Sequence, residues 1–432
     1  MSAEELPFSE SVNQSSFGER SKTAAPRVEF ARKLCFVVIA IALLSYFPAI
    51  LSYYRIFYIL VVLGFCIFMS FVRLGRIGKK EALQSGRYLL IFLGYLMLTA
   101  IWAEFPERTL VAVAVDLIFV LVWGVFFVLE VMYREEEIAR LFVYVPYAVA
   151  ATFIYLLARF GALRPFDETS ADQIGATANL CGQWLVVSLP FIYWLIRRGD
   201  KRRYFELCLG LFLIAIAQSR TAYVLVLFFF VTETIMYGKS AKLFFIESAK
   251  FVGALVLLAA LAWTLPVTRT LVLDGLQRAV TTQTDYNTDV DIEREEMLLV
   301  GWESFRENPW LGIGYHNLGE RIGEDFSREI ESHNLVITLV AECGWPGLIL
   351  FCWMIWEFFK RTKRARKKLG TETGGFYAAC QISLIAALLT GMAFPLLEFP
   401  LFYAVLGLGY ASTVTIRKST ATVFSNSALS AT

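Results

Sequence analysis

The sequence has little charge, few histidines and no recurring cysteine pattern. Only 18% of its residues are charged, whereas soluble domains carry about 25%. Its seven cysteines are scattered, without a CxxC pair or metal-ligand spacing, which argues against a disulfide framework and a zinc site. The two histidines, His316 and His333, lie close together in the last third of the chain. Imidazole chemistry is therefore confined to one stretch.

Apolar residues make up most of the chain instead. Hydrophobic residues account for 57% and aromatic residues for 15% of it. A run of about 20 apolar residues can cross a bilayer as a helix, and the sequence holds about twelve apolar runs of roughly this kind. We therefore predict an all-α, polytopic membrane protein with about twelve transmembrane helices and a long periplasmic loop that contains an amphipathic helix.

The apolar runs divide the chain into parts. Residues 1–33 are polar and lack the features of a removable signal peptide, and we predict that they form a disordered cytoplasmic tail. Transmembrane helices 1–9 are predicted within residues 34–266 and helices 10–12 within residues 333–416. A periplasmic loop domain is predicted at 267–332, and a second cytoplasmic tail at 417–432.

Basic residues predict which loops lie in the cytoplasm. Short loops rich in Lys and Arg stay there, and the three richest segments are residues 73–87, 197–203 and 360–368. They follow the second, sixth and tenth predicted helices and therefore share one side. This places residues 267–332 on the opposite, periplasmic side. The net charge of +2 says little about partners; the composition predicts the lipid bilayer as a partner, and we expect no nucleic acid.

The polar region before the tenth helix contains its own helix and turn. A helix is predicted from about Asp291, with an apolar stripe on one face formed by Leu298, Trp302 and Phe305. Asn308-Pro309 ends it, and the glycines of residues 310–314 permit a tight turn. The helix is expected to lie on the membrane surface or to cap a cavity; a solvated connecting helix without a site is the alternative. His316, in the turn, is expected to be structural.

Polar residues at the start of the tenth helix are candidates for chemistry. His333 directly precedes this helix, and an imidazole with its ordinary pKa of about 6.5 suits a general base. Asn334 stands beside it, and Glu342 follows about 13 Å further along the helix. A carboxyl group inside a span is costly and usually faces a cavity or a partner. The alternative for His333 is a polar cap at the membrane interface.

Arginines on the predicted periplasmic side are candidates for anion binding. They are Arg220, at the end of a short span, Arg294 and Arg321. The guanidinium fork matches phosphate oxygens, so a diphosphate is a natural ligand. The alternative for Arg220 is that its side chain extends to the membrane interface. Asp116 and Asn179, inside the fourth and sixth spans, are weaker candidates that helix packing explains equally well.

Four segments together resemble the O-antigen ligase and polysaccharide polymerase superfamily of bacterial membranes. They are Ser219-Arg220-Thr221-Ala222, Arg294 and Trp302 with Asn308-Pro309 and Gly312-Ile313-Gly314, Ser332-His333-Asn334-Leu335, and Glu342-Cys343-Gly344 with Gly347-Leu348. They are similar to the family's SR-x-A, R…W…NP-x-x-G-x-G, HN-x-x-L and E-x-G-x-x-GL segments, and Asn179 matches more loosely. The Trp345-Pro346 pair departs from the small or aliphatic residues usual there, which questions the helix geometry at that point.

The resemblance implies a membrane glycosyltransferase. Members transfer a glycan from an undecaprenyl-diphosphate carrier, on the periplasmic face of the bacterial inner membrane, with inversion and without a metal or other cofactor. The acceptor is lipid A-core, another lipid-linked glycan or a protein. By position, His333 would be the base, and Arg220 and Arg294 would hold the diphosphate. The residues implied to bind substrate or support the site are Asn334, Glu342 and Arg321.

Two other classes of protein compete with this interpretation. In a polysaccharide or lipid transporter, Asp116, Glu342 and Arg220 would line a path, but the sequence has no internal repeat of the kind many transporters show. A membrane scaffold without catalysis is the second alternative. Within the family, the sequence leaves ligase and polymerase open, because no acceptor-binding motif can be read from it.

Overall fold

The computed structural model describes residues 76–160, 178–217, 220–236, 253, 288–326, 334–392, 396–397 and 399–430. Within these ranges the chain is helical and has no β-strand, which confirms the all-α prediction. The predicted N-terminal tail, the first two predicted transmembrane helices and His333 lie outside the described residues, as does the ninth predicted helix apart from residue 253.

The described helices are numbered here in chain order. They are α1 (Arg76–Leu98), α2 (Pro106–Met132), α3 (Glu135–Phe142), α4 (Tyr144–Phe160), α5 (Ala178–Arg197), α6 (Tyr204–Ala217), α7 (Arg220–Met236), α8 (Thr288–Glu307), α9 (Leu318–Phe326), α10 (Leu335–Lys368), α11 (Gly370–Thr390) and α12 (Pro400–Ser430). Short 3₁₀ turns at Thr99–Ile101 and Lys201–Arg203 precede α2 and α6.

Several helices extend beyond the apolar runs that predicted them. The basic segment 73–87, expected to connect two spans, is helical from Arg76 onward, and 360–368 forms the end of α10. Lys and Arg are good helix formers, so these helices continue past the apolar residues. The predicted tail 417–432 is helical as far as Ser430, because no glycine or proline interrupts the chain after Gly409.

Five helical segments in the described ranges are long and apolar enough to cross a membrane. They are Ala82–Ile101, Pro106–Val131, Glu135–Ile154, Leu335–Lys368 and Thr373–Thr390. Shorter apolar segments occur at Thr221–Glu233 and Pro400–Ile416. The protein is therefore a multi-pass membrane protein, and the number of about twelve spans stays a prediction.

Helix α5 lies at the centre of the bundle. Every residue from Cys181 to Ile196 is buried, as expected for a helix that is apolar on all sides. Helices α3, α6, α7 and α11 pack around it. The ring of Phe191 stacks on that of Phe142 in α3, with centroids 3.9 Å apart. This aromatic centre fixes the surrounding helices.

Helix α12 packs along α2 in a close contact that depends on a small residue. A Cβ on Gly407 would lie 2.4 Å from the carbonyl oxygen of Trp123. Small residues at membrane-helix interfaces let backbones approach in this way. The contact holds α2, whose first turns form part of the candidate site.

The three basic segments lie at one end of the bundle. The guanidinium of Arg361, in α10, donates to the hydroxyl of Ser85 in α1 at 2.6 Å. At the end of α5, the ring of Trp194 meets that of Phe376, near the start of α11, at 5.4 Å. Since α11 directly follows α10, all three segments share this end, as the topology prediction requires.

Candidate functional site

A kink divides α10 near the residues that the sequence singles out. Gly344 has φ 61° and ψ −166°, a backbone region open essentially to glycine alone. Pro346 follows inside the helix and has no N–H to donate. The unusual Trp345-Pro346 pair therefore coincides with a real change in helix geometry.

At the kink, backbone N–H and C=O groups of α10 form hydrogen bonds outside the helix. Their partners lie in residues 309–317, here called the glycine turn. Three hydrogen bonds join the two segments: Ile313 N to Ala341 O (3.0 Å), Gly314 N to Glu342 O (2.9 Å) and Trp345 N to Pro309 O (3.1 Å). The carbonyl of Cys343 instead accepts the hydroxyl of Tyr95, from α1, at 2.6 Å. Buried backbone groups need such partners, so the turn and the kink depend on each other.

Glycines bring the turn and the kink into backbone contact. A Cβ on Gly312 (φ 70°) would lie 2.3 Å from the carbonyl of Glu342. A Cβ on Gly344 would lie 2.3 Å from the carbonyl oxygen of Trp310. On the other side of the turn, a Cβ on Gly314 would lie 2.3 Å from the Cβ of Ala103. The glycine spacing noted in the sequence is thus required by close approach as well as by positive φ.

Hydrogen bonds of the Asn317 side chain connect the glycine turn to the start of α2. Its side chain is fully buried. Its Oδ1 accepts the N–H of Phe105 at 2.6 Å, and its Nδ2 donates to the Thr109 hydroxyl and the Tyr315 carbonyl, both at 2.9 Å. The Thr109 hydroxyl donates to the same carbonyl at 2.7 Å. A buried network of hydrogen bonds therefore holds this junction together.

Replacing Asn317 by alanine is expected to destabilise this junction by about 2–4 kcal/mol. The change leaves the Phe105 N–H buried without its acceptor and removes a donor to Thr109, and each such loss costs about 1–3 kcal/mol. Thermal unfolding of the detergent-solubilised protein measures the effect. The control is Asn308→Ala, at an exposed position near the same turn, which should change stability by about 0.5 kcal/mol or less. Equal effects of the two variants would refute the assigned role.

Glu342 links α10 to α9. Its side chain is 3% exposed, and its Oε1 accepts the N–H of Leu318, the first residue of α9, at 3.1 Å. A carboxylate at a helix N-terminus is favourable, because the helix dipole is positive there. The geometry agrees with a supporting role for Glu342 beneath the site.

Asn334 caps α10 next to His333. Its Oδ1 accepts the N–H groups of Val336 and Ile337, both at 3.1 Å. The N–H of Leu335 donates to the carbonyl of Gly391, after α11, at 2.8 Å. The two residues that follow His333 are therefore held by hydrogen bonds, Asn334 within α10 and Leu335 to the end of α11. His333 itself lies outside the described residues.

Helix α8 packs on α10 with a face that includes only Phe305 of the predicted stripe. The prediction of a helix ending at Asn308-Pro309 is confirmed. Leu298 and Trp302, however, are 36% and 48% exposed. The buried face consists of Met297, Gly301, Ser304 and Phe305. Phe305 belongs to both faces, and the placement of the stripe on the membrane surface stays a prediction. Small residues bring the two helices close: a Cβ on Gly301 would lie 2.4 Å from Ile337.

The predicted arginines lie on three different helices. Arg220 is the first residue of α7, and Arg294 lies in α8; the structure describes the backbone of both but not their side chains. Arg321, on α9, pairs with Glu307 at the end of α8 at 2.5 Å. A role for Arg321 in binding a phosphate would require it to exchange this carboxylate for the ligand.

A cavity beside the glycine turn was not foreseen from the sequence. It has a volume of about 400 Å³ and lies between α2 and the turn. His316 lines it with φ 62°, a conformation uncommon in residues other than glycine. Arg108, which also lines it, pairs with Glu320 of α9. The sequence signal was weak: Arg108 and Asp116 share one face of a predicted helix, but nothing linked them to His316.

The helices and their junction define the class of the protein, a multi-pass helical membrane protein with a kinked helix at its candidate site. Residues 205–352, about a third of the chain, match the family model described as O-Antigen ligase. This match confirms the resemblance to the O-antigen ligase and polymerase superfamily. It includes every residue predicted for the site. Comparison of the chain with curated proteins gave no match.

Proposed function

We propose that the protein transfers a glycan from an undecaprenyl-diphosphate carrier to an acceptor hydroxyl, on the periplasmic face of a bacterial inner membrane. The acceptor is a lipid A-core in a ligase or a second lipid-linked glycan in a polymerase. One observation carries the proposal: the segment that matches the O-antigen ligase family, residues 205–352, contains all six predicted site residues. The same segment includes the kink and the glycine turn.

The proposed reaction is a displacement with inversion. The imidazole of His333 accepts the proton of the acceptor hydroxyl. The hydroxyl oxygen then forms a bond to the anomeric carbon, on the face opposite the leaving group, while the bond from that carbon to the diphosphate oxygen breaks. Undecaprenyl diphosphate leaves with the electron pair. The guanidinium groups of Arg220 and Arg294 stabilise the negative charge on the diphosphate.

The remaining predicted residues would position these groups. Asn334 holds the start of α10 through its side-chain cap, so it fixes the backbone next to His333. Glu342 ties the same helix to α9. Preorganised groups lower a reaction barrier because little rearrangement is needed during the reaction. The fixed start of α10, which directly follows His333 in the sequence, supports the proposed role of that residue.

Reconstitution of the full-length protein tests the proposed function. Vesicles receive an undecaprenyl-diphosphate-linked glycan and, in separate samples, lipid A-core or no further acceptor. Glycan joined to lipid A-core identifies a ligase, and longer lipid-linked chains without lipid A-core identify a polymerase. Either product requires the protein to release undecaprenyl diphosphate.

Three results would overturn the proposal. Movement of the lipid-linked glycan across the vesicle membrane without a new glycosidic bond would identify a transporter. A reporter fused within residues 280–330 that reads out in the cytoplasm would contradict the proposed periplasmic orientation. Protein that is present in the membrane but yields no product in either sample would also count against a transferase.

A further inference from the structure

The cavity between α2 and the glycine turn follows one face of α2. Three residue pairs on successive helical turns form this wall: Glu107 and Arg108, Val111 and Ala112, and Val115 and Asp116. Tyr315 and His316 form the opposite wall. From the first pair to the last, α2 rises about 12 Å. The volume of about 400 Å³ falls in the usual range of small-molecule sites, about 300–1,000 Å³.

The cavity is polar at both ends and apolar between them. Glu107, at the start of α2, is exposed, whereas Asp116, inside a candidate membrane span, is 1% exposed. A carboxyl group at that depth is costly and typically faces a cavity or a partner. Val111 and Ala112 supply an apolar surface between the two carboxyl groups. A ligand that fits must therefore combine polar edges with an apolar face.

The charges in the walls disfavour a phosphate. Among the residues that the structure describes, two carboxyl groups line the cavity, and the guanidinium of Arg108 is paired with the carboxylate of Glu320. In these walls an anionic ligand would face more carboxylate than guanidinium groups. A hydroxyl group both donates and accepts hydrogen bonds. Its hydrogen bond to a carboxylate is charge-assisted and strong, and an ammonium group would also be attracted.

His316 is held towards the cavity by an uncommon backbone conformation. His316 has a φ of 62°, and it stands between Gly314, with φ 104°, and the buried, hydrogen-bonded Asn317. Uncommon conformations persist where the surrounding structure fixes them, and they cluster at ligand sites. An imidazole can donate or accept a hydrogen bond, which suits a ligand with several hydroxyl groups.

We propose that this cavity is a carbohydrate subsite that binds one neutral or amino-sugar ring of a glycan, and that it does not bind the diphosphate. The ring's hydroxyl or amino groups bond to Asp116, Glu107 and His316, and its C–H face lies on Val111 and Ala112. The assignment of this ring to a substrate rests on the proposed function, and the ring belongs either to the acceptor or to the donor glycan.

Photolabelling of the full-length protein in detergent tests the subsite without requiring transfer. The probes are diazirine derivatives of glucose and glucosamine, and labelled peptides are mapped by mass spectrometry. We expect labelling within residues 107–116 or at residues 315–316, competed by the free sugars and not by inorganic diphosphate. Labelling elsewhere, or competition by inorganic diphosphate, would overturn the proposal.

Two alanines on α2 provide a matched pair of variants. Ala112→Phe fills the cavity, whereas Ala114→Phe adds the same ring to an exposed position outside the cavity. Sugar affinity should fall about tenfold or more in the first variant and stay unchanged in the second. His316→Asn gives a second measurement with a residue that tolerates positive φ; loss of one hydrogen bond to the ring should weaken binding about fivefold. Unchanged affinity in both Ala112→Phe and His316→Asn refutes the subsite.

The transfer assay identifies the source of the ring. In Ala112→Phe we expect a higher KM for one substrate with kcat little changed, since the cavity binds the ring away from the reacting atoms. A higher KM for the acceptor assigns the ring to the acceptor, and a higher KM for the lipid-linked glycan assigns the ring to the donor. If the unaltered protein shows no transfer, the proposed function fails, while photolabelling still decides whether the cavity binds sugar.

Discussion

Replacing His333 with alanine is expected to lower the rate of glycan transfer by about 10²–10⁴-fold, the usual contribution of a general base. The acceptor hydroxyl would then lose its proton to water instead of to a positioned imidazole. The rate is measured with the reconstituted protein at equal amounts in the membrane. Photolabelling of the α2 cavity should be unchanged, because the described residues that line it belong to α2 and the glycine turn and the proposed ring lies away from the reacting atoms.

Two further measurements separate a base from a structural residue at this position. His333→Gln keeps a polar side chain of similar reach but cannot accept the proton, so it should be as inactive as His333→Ala. In the unaltered protein, the rate should fall as the pH drops below the ordinary histidine pKa of about 6.5, because imidazolium cannot act as a base. Retention of activity in either variant would exclude His333 as the base.

The local geometry of the candidate site could be predicted from short stretches of sequence. Asn308-Pro309 ended α8 as predicted, and the glycines after it form a turn. The unusual Trp345-Pro346 pair marked a kink. Each of these features follows from the conformational limits of one or two residues, so distant parts of the chain were not needed to foresee them.

The contacts that assemble the site could not be predicted in the same way. Tyr95 bonds to the carbonyl of Cys343, and Asn317 bonds to Phe105 and Thr109. These partners are separated by more than 200 residues. A periodic pattern identifies the apolar face of a helix but not its neighbour, and Gly301 and Ser304 of α8 show that small residues can form much of the buried face. For the same reason, the cavity at His316 had only a weak signal in the sequence.

Charge patterns were informative over longer distances. The three basic segments were predicted to share one side, and they lie at one end of the bundle. Arg361 bonds to Ser85, and Trp194, just before the segment 197–203, contacts Phe376 in the helix that follows the segment 360–368. The glycine turn and the start of α2 lie at the other end of α1 and α2. The distribution of basic loops depends on the membrane rather than on the fold's internal contacts, so counting Lys and Arg can group distant loops even where packing cannot be foreseen. Which end of the bundle faces the periplasm stays a prediction.

Replacing Gly312 with alanine is expected to disrupt the junction between the glycine turn and α10. The new Cβ would lie 2.3 Å from both the carbonyl carbon and the oxygen of Glu342 and 2.6 Å from the nitrogen of Cys343. These are backbone atoms in a segment held on several sides, so they cannot shift cheaply. We expect a loss of about 4 kcal/mol or more, at the upper end for single substitutions, measured by thermal unfolding of the detergent-solubilised protein.

Gly370 provides the control, because it has nearly the same backbone conformation without the close contact. Its φ is 75°, against 70° for Gly312, and a Cβ there would meet no atom within 4 Å. Gly370→Ala should therefore cost only the strain of a left-handed alanine, about 1–2 kcal/mol. The difference between the variants measures the collision alone. Similar losses of stability in both would mean that positive φ, and not contact with the kink, explains the glycine at 312. Glycan transfer should also fall in Gly312→Ala but not in Gly370→Ala. Only the first substitution disrupts both the glycine turn and α10, the helix that begins two residues after His333.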